Sequence, residues 1–85
     1  MKRIRFGKHA EAKFDILREH GVILNKRIVK SALLSPERVD EGYAGRRVAQ
    51  AILDDEHVLR VVFEESDVEL KIITFYPGRR ERYED

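Results

Sequence analysis

The first part of the chain shows two hydrophobic periods. Residues 2–6 alternate charged side chains with Ile4 and Phe6, which is the period of a half-buried strand. Over residues 9–20 the apolar side chains recur at helical spacing instead. Gly21 then suits a C-terminal helix stop, since glycine accepts a left-handed backbone. A strand followed by a helix is therefore predicted.

A second helix and a series of strands follow. Asn25 is a good N-cap, and Pro36 ends this helix because the residue before a proline avoids helical backbone. Turns rich in Gly and Asp separate the later segments of β-forming residues. The predicted strands are residues 37–41, 47–53, 58–64 and 68–76. The first is short and polar, as edge strands are, and Pro77-Gly78 is expected to end the last.

The fold class predicted from this order is α+β, with one domain spanning residues 1–85. Two N-terminal helices pack on one face of a curved antiparallel sheet, in the order β-α-α-β-β-β. By strict alternation the uncovered face carries Arg60 and Lys71 among apolar side chains that include Ile73 and Phe75. A face that mixes cations with apolar groups suits a ligand or a partner.

Composition narrows the function classes. The net charge is +1, and charged residues make up 39% of the 85. Cysteine is absent, which excludes disulfides and thiolate metal sites. The three histidines have no metal-ligand spacing, so neither a metal nor another cofactor is predicted. No apolar stretch is long enough to span a membrane, and the basic start lacks the apolar region of a signal peptide, so a cytoplasmic protein without a membrane partner is expected. High charge with few amides and one methionine is typical of a thermophilic source.

Three stretches of the chain resemble known domains. They read KHAEAKFDILREHGVILNKRIVKSALLSPERV, HVLRVVFEE and IITFYPGRRERY. They are similar to a family of small, uncharacterised bacterial and archaeal domains, and they resemble the BrnT branch of the RelE/ParE-like toxin superfamily. The resemblance implies the RelE-like fold and a toxin–antitoxin function: a metal-independent ribonuclease that cleaves messenger RNA and is masked by a cognate antitoxin. The residues of this chain that have counterparts among the functional residues of the toxin superfamily are Arg60, Arg79, Arg80, Arg82 and Tyr83.

Metal-free RNA cleavage needs a base for the 2′-hydroxyl, cations for the charge that develops on phosphorus, and an acid for the leaving oxygen. The guanidinium groups of Arg60, Arg79 and Arg80 match phosphate oxygens. His57 is a candidate acid or base, because histidine is the side chain whose unperturbed pKa lies near neutrality. Because the last strand returns beside the preceding one, Tyr76 and Arg79 are expected near His57 and Arg60. The predicted catalytic residues are His57, Arg60, Arg79, Arg80 and Tyr83.

Other basic and aromatic residues are predicted RNA contacts. They are Lys8, His9, Arg46, Arg47, Lys71, Tyr76 and Arg82. Structural roles compete with this interpretation. His9 suits an anion at a helix N-terminus, or simply packs at the strand–helix junction. In a helical tail Arg80 pairs with Glu84. The basic start, Lys2–Lys8, is either one side of an RNA groove or the solvated face of an edge strand.

The sequence is compatible with three functions. The first is a toxin-type ribonuclease, or an inactive relative, with a cognate antitoxin as partner. The second is a non-catalytic module that binds RNA or the ribosome. The third is a protein-interaction domain that receives a partner on its open face or edge strand. The sequence carries no signal for the oligomeric state.

Overall fold

The structure is a computed structural model, and it describes residues 2–83. Its elements in chain order are β1 (Arg3–Phe6), α1 (Lys8–Glu19), α2 (Lys26–Leu34), β2 (Arg38–Glu41), a 3₁₀ turn (Tyr43–Gly45), β3 (Arg47–Ile52), β4 (His57–Glu65), β5 (Glu69–Arg79) and α3 (Arg80–Tyr83). The α+β class predicted from the sequence is confirmed.

The strands form one five-stranded sheet in the order β1-β5-β4-β3-β2. Strands β2 to β5 pair antiparallel, but β1 lies parallel to β5, with Arg3 opposite Glu69. The expected order β-α-α-β-β-β has one strand fewer than the five segments predicted to be strands, and the structure contains all five together with a short third helix. The wholly antiparallel sheet is corrected to a mixed sheet. The reason is topological: α1 and α2 carry the chain away from β1, so β1 is not bound to its sequence neighbour and joins the far edge. β2 is an edge strand, as predicted.

The two N-terminal helices begin and end where the sequence places their signals. Gly21 has φ +81 after the end of α1, the left-handed conformation that favours glycine. Asn25 caps α2, because its Oδ1 accepts a hydrogen bond of 2.9 Å from the backbone N–H of Ile28. Within residues 2–83, none of the helices has the length and apolar character to cross a lipid bilayer.

The core lies between these helices and one face of the sheet. Phe75 is fully buried there, and its ring centroid lies 4.7 Å from that of Phe14. The buried residues of this core are Ala10, Leu24, Val29, Ala32, Leu33, Ala49, Leu59, Val61, Phe63, Ile72 and Phe75. One continuous apolar layer therefore joins both helices to the sheet.

A β-bulge changes which residues of β5 face the helices. Ile72 and Thr74 pair with adjacent residues of β4, so that Ile73 is left over between them. The extra residue places both Ile72 and Phe75 on the helix-covered side, where each is fully buried. The prediction that Phe75 lies on the open face is wrong, because strict alternation cannot anticipate a bulge.

Strand β5 also continues through the expected break. Pro77 pairs with Leu59, and the strand ends only at Arg79. β1 ends at Phe6, opposite Ile72, so among the described residues this part of β5 has a neighbouring strand on one side only. A proline, which has no N–H to donate, is tolerated where one side of a strand is unpaired. The expectation that Pro77-Gly78 ends the strand is therefore wrong.

Candidate functional site

The face of the sheet turned away from α1 and α2, called here the open face, carries an excess of cations. Alternation along β4 and the register of its neighbours place the charged side chains. The cations are Arg3, Arg5, Arg38, Arg46, Arg60 and Lys71, and the carboxylates are Asp40, Glu64 and Glu69. The whole chain is close to neutral. Because cations outnumber carboxylates on the open face, this face is nevertheless locally positive.

Arg60 lies at the centre of the open face and is only 9% exposed. Its Nε donates to the Tyr76 hydroxyl at 3.2 Å, and its Nη1 donates to Gln50 Oε1 and to Asp40 Oδ2, the latter at 3.3 Å. Gln50 is fully buried, and its Nε2 donates in turn to Glu37 Oε1 at 3.0 Å. The Arg60 guanidinium is thus held in a continuous hydrogen-bond network.

The short helix α3 closes over this network. The Tyr83 ring centroid lies 4.5 Å from Arg60 Cζ, a cation–π contact. The ring packs directly on Gly78, where an added Cβ would lie 2.4 Å from Tyr83 Cε2. Burial lowers the pKa of Arg60, but the hydrogen bonds and charges of Tyr76 and Asp40 outweigh it and raise that pKa above its ordinary value. Arg60 is a permanent, covered cation.

A second group of polar residues lies at the end of the β3–β4 hairpin. Asp54 Oδ1 accepts the backbone N–H groups of Glu56 and His57, each at 2.8 Å, and lies 2.9 Å from His57 Nδ1. The backbone N–H of Glu56 and then the His57 side chain hold the pKa of Asp54 below its usual range. This contact fixes a proton on Nδ1, and Nε2 has no hydrogen-bond partner within residues 2–83. Arg79 lies directly opposite His57 in the strand register.

The structure divides the predicted catalytic residues between the two faces of the sheet. The register pairs His57 with Arg79 and Arg60 with Tyr76, as the expected return of the last strand requires. Alternation along β4, however, places His57 on the helix-covered side and Arg60 on the open face. His57 borders a cleft of about 450 Å³ whose lining includes Val22, Leu24, Leu53 and Pro77. His57 and Arg60 therefore cannot act on the same phosphate.

The basic pair after the glycine-flanked turn is also divided. Arg46 Nε lies 3.6 Å from Glu64 Oε2 on the open face. Arg47 forms an ion pair with Glu65 and lies over the Phe63 ring, 5.3 Å from its centroid, on the helix-covered side. Only Arg46 is placed to contribute to the open face.

The remaining predicted contacts lie at the two chain ends. Lys8 and His9 are exposed in the first turn of α1, and Arg82 is exposed in α3. The backbone N–H of Arg80 donates to a carbonyl of the β3–β4 hairpin, which fixes the start of α3. The predicted pair of Arg80 with Glu84 lies outside the described residues.

Arg3, Arg5 and Lys71 surround Glu69 where β1 meets β5, and this group is called here the β1–β5 cation cluster. Arg5 donates to Glu69 from Nη2 at 2.9 Å and also from Nε. The hydrogen bond from Arg5, with the positive charge of Arg3 and Lys71, lowers the pKa of Glu69. Arg3 and Lys71 form no ion pair within residues 2–83. Three cations thus share one carboxylate.

Among the residues that sequence reasoning missed in these groups are Asp40, Gln50 and Asp54. Gln50 stands out as the single amide inside an apolar strand, which is a signal that a buried polar partner faces it. The Asp54-to-His57 spacing across a hairpin turn is the corresponding signal for the second group. Asp40 gives no signal, because an acidic side chain on a polar edge strand is ordinary.

Comparison of this chain with known protein families, with curated protein sequences and with solved structures finds no match. Within residues 2–83, no three His, Asp or Glu side chains lie together as a metal-ligand set. The class that the fold defines is an α+β domain with a mixed sheet, one face packed against helices and the other open and cationic.

Proposed function

We propose that this protein binds RNA on the open face of its sheet. The observation that carries the proposal is the β1–β5 cation cluster. Among residues 2–83, Arg3 and Lys71 have no carboxylate of their own, and the third cation, Arg5, shares Glu69 with them. An anionic polymer supplies the charge that this surface lacks, because each phosphate that meets a cation releases condensed counterions.

The sequence resemblance supports the same class of ligand. RelE/BrnT-like toxins act on RNA, and in this proposal the protein is such a toxin or an inactive relative. Its target is messenger RNA or the ribosome in the cytoplasm, and its protein partner is a cognate antitoxin-like protein.

Binding is tested with a fluorescent single-stranded RNA by anisotropy over a range of salt concentrations. Arg3→Gln/Lys71→Gln removes two cations from the open face and should lower the log–log salt slope by about 0.7 for each phosphate that the variant no longer neutralises. Lys13→Gln/Arg27→Gln makes the same charge change on the helices and should leave the slope nearly unchanged. Equal decreases in the two double variants would show that net charge, and not the open face, drives binding.

A second candidate function, RNA cleavage without a metal, is favoured by Asp54 and His57 at the end of the β3–β4 hairpin, called here the hairpin-end group. The Asp54 carboxylate holds a proton on His57 Nδ1, which leaves Nε2 as the base. In this proposal Nε2 accepts the proton of a 2′-hydroxyl, and the 2′-oxygen then attacks the adjacent phosphorus. The bond to the 5′-oxygen then breaks, the leaving 5′-oxygen takes a proton from a solvent water molecule, and a 2′,3′-cyclic phosphate remains. Arg79, opposite His57 in the register, stabilises the added negative charge.

Cleavage is tested by incubating RNA with the protein in EDTA and identifying the fragment ends. His57→Asn should reduce the rate by a factor of about 10² to 10⁴, the usual contribution of proton transfer. His20→Asn is the matched control, because His20 is an exposed histidine at the end of α1. Activity that survives in His57→Asn would exclude the hairpin-end group as the site. RNA left intact by the unmodified protein, but bound by it, would leave the binding function alone.

A further inference from the structure

The two edges of the sheet carry different charge patterns. β2 reads Arg-Val-Asp-Glu from Arg38 to Glu41, with both signs present. β1 reads Arg-Ile-Arg-Phe from Arg3 to Phe6, and its charges are all positive. Both are terminal strands in the sheet order, so within residues 2–83 each has one side without a strand partner.

We propose that β2 pairs antiparallel with β2 of a second copy of this chain, about a two-fold axis at Val39. The open faces of the two copies then form one continuous surface. A self-complementary strand is what such a symmetric contact requires, because the same residues meet on both sides of the axis.

Symmetry restricts the register of this contact. A two-fold axis perpendicular to the sheet places the open faces of both copies on the same side. Residues that lie opposite each other in the contact must therefore come from the same face of the sheet. With the axis at Val39, Val39 meets its own copy and Arg38 meets Asp40 twice. With the axis at Asp40, two carboxylates meet and Val39 faces Glu41. Charge therefore selects the axis at Val39.

Both charged residues have hydrogen-bonding capacity left for this contact. Asp40 Oδ2 accepts from Arg38 Nε at 3.1 Å and from Arg60, while its Oδ1 accepts nothing within residues 2–83. The Nη groups of Arg38 likewise have no acceptor among the described residues. The two unused groups face each other across the proposed axis. The next pair outward, Glu37 with Glu41, joins two carboxylates, but Glu37 precedes β2 and is hydrogen-bonded to Gln50.

The apolar side chains at this edge also lack cover. Val39 lies on the helix-covered side of β2, opposite Ala49, yet 45% of it is exposed. Leu34, at the end of the helix that leads into β2, is 62% exposed. Pairing about Val39 buries two valine side chains against each other.

The same construction fails at β1. With a two-fold axis at Ile4, Arg3 meets Arg5 twice, and with the axis at Arg5 two arginines meet directly. Like charges directly opposite each other destabilise a strand pair. The chain thus has one edge that accepts its own copy and one that repels it.

The chain has no cysteine, so a single introduced thiol tests the register. Residues directly opposite in an antiparallel pair have Cα atoms about 4.5–5.5 Å apart, a separation that a disulfide spans. Val39→Cys should form a disulfide dimer readily under mild oxidation. Val68→Cys, on a residue that is 73% exposed in the β4–β5 turn, is the control and should cross-link only at the slow collision rate. Equal rates for the two variants would overturn the proposal.

Sedimentation equilibrium of the unmodified protein gives an independent readout, because it requires no introduced thiol. The mass should rise from monomer to dimer with concentration. Arg38→Glu should weaken the dimer by roughly tenfold, since symmetry makes the unfavourable pair twice. Arg5→Glu, the same charge change on the other edge, should not weaken it. A monomer mass up to about 1 mM, or a dimer that Arg38→Glu leaves unchanged, would refute the β2 contact.

Discussion

The variant Arg60→Ala separates a structural role of the buried guanidinium from a role in binding RNA. The substitution removes the donor to fully buried Gln50, the hydrogen bonds to Tyr76 and Asp40, and the cation beneath the Tyr83 ring. Each of these losses destabilises the folded state. A large decrease in the free energy of unfolding is therefore expected.

The magnitude follows from the exposure of each partner. Gln50 cannot reach water, so its Oε1 is left without a donor, at a cost of about 1–3 kcal/mol. Removing the cation–π interaction with Tyr83 adds about 0.5–1 kcal/mol. The Asp40 side chain is 36% exposed and stays hydrated, so it adds little. The expected decrease is about 2–4 kcal/mol, a large part of the roughly 4–13 kcal/mol typical of a domain this size.

Urea denaturation followed by circular dichroism measures this decrease, with the m value as a check that unfolding stays two-state. Arg38→Ala is the matched control, since it removes an arginine that contacts the same carboxylate but is 35% exposed. It should cost less than about 1 kcal/mol. Gln50→Leu in the Arg60→Ala background should cost less than the sum of the single changes, because it removes the unsatisfied amide.

The opposite result would refute this reasoning. If Arg60→Ala unfolds with nearly unchanged free energy but no longer binds RNA, the guanidinium contacts the ligand and the network around it contributes little stability. If stability falls and the folded fraction still binds RNA, Arg60 is structural.

Three further predictions concern the bulge, the tail and the hairpin end. Phe75→Ala should destabilise by about 3–5 kcal/mol in a urea titration, because Phe75 lies in the core; a decrease below about 1 kcal/mol would place it on the open face. Gly78→Ala should displace the Tyr83 ring, since the added Cβ would overlap it, and the tyrosine NMR shifts should change without loss of the fold. The pKa of Asp54 is lowered by the Glu56 N–H and by His57, so its stabilisation is present above the unfolded pKa near 4 and is lost as pH falls through the lower, folded pKa. Asp54→Asn should flatten the decline of the melting temperature below about pH 4, and an unchanged acid profile would contradict the interactions of the Asp54 carboxylate with the Glu56 N–H and with His57.

The sequence predicts local elements of this fold well because their signals are local. Asn25 and Gly21 each act within one helical turn, and the structure places them at the cap and the stop. The edge position of β2 is likewise read from its short, polar composition. Such features need no knowledge of distant contacts.

The sequence predictions are wrong where contacts between residues far apart in the chain determine the structure. The partner of β1 depends on the packing of two intervening helices, so its parallel alignment beside β5 has no counterpart in residues 2–6. The bulge at Ile73 depends on how β4 and β5 align, and it reverses the face assigned to Phe75. Pro77 is accepted within β5 because β1 has already ended.

The candidate site likewise has features that the sequence predicts and features that depend on distant contacts. The position of Arg79 beside His57 is correctly predicted, because two strands joined by a short turn pair antiparallel and bring the end of β5 next to the start of β4. The separation of His57 from Arg60 follows from the three-residue interval between them, which places them on opposite faces of one strand. The Asp40–Arg60–Gln50 network joins three strands, and no single segment of sequence contains it.

Charge alone does not identify which cations of this chain can meet a phosphate. A guanidinium that already binds acceptors in a covered site must break those bonds before it binds a ligand, and Arg60 is in that position. Arg3 and Lys71 have nothing comparable to break, because they form no ion pair among the described residues and meet Glu69 only through longer-range attraction. The cost of rearrangement thus favours the edge of the open face over its centre as the first contact of the proposed RNA ligand. Arg60 stabilises the sheet that holds those outer cations in position.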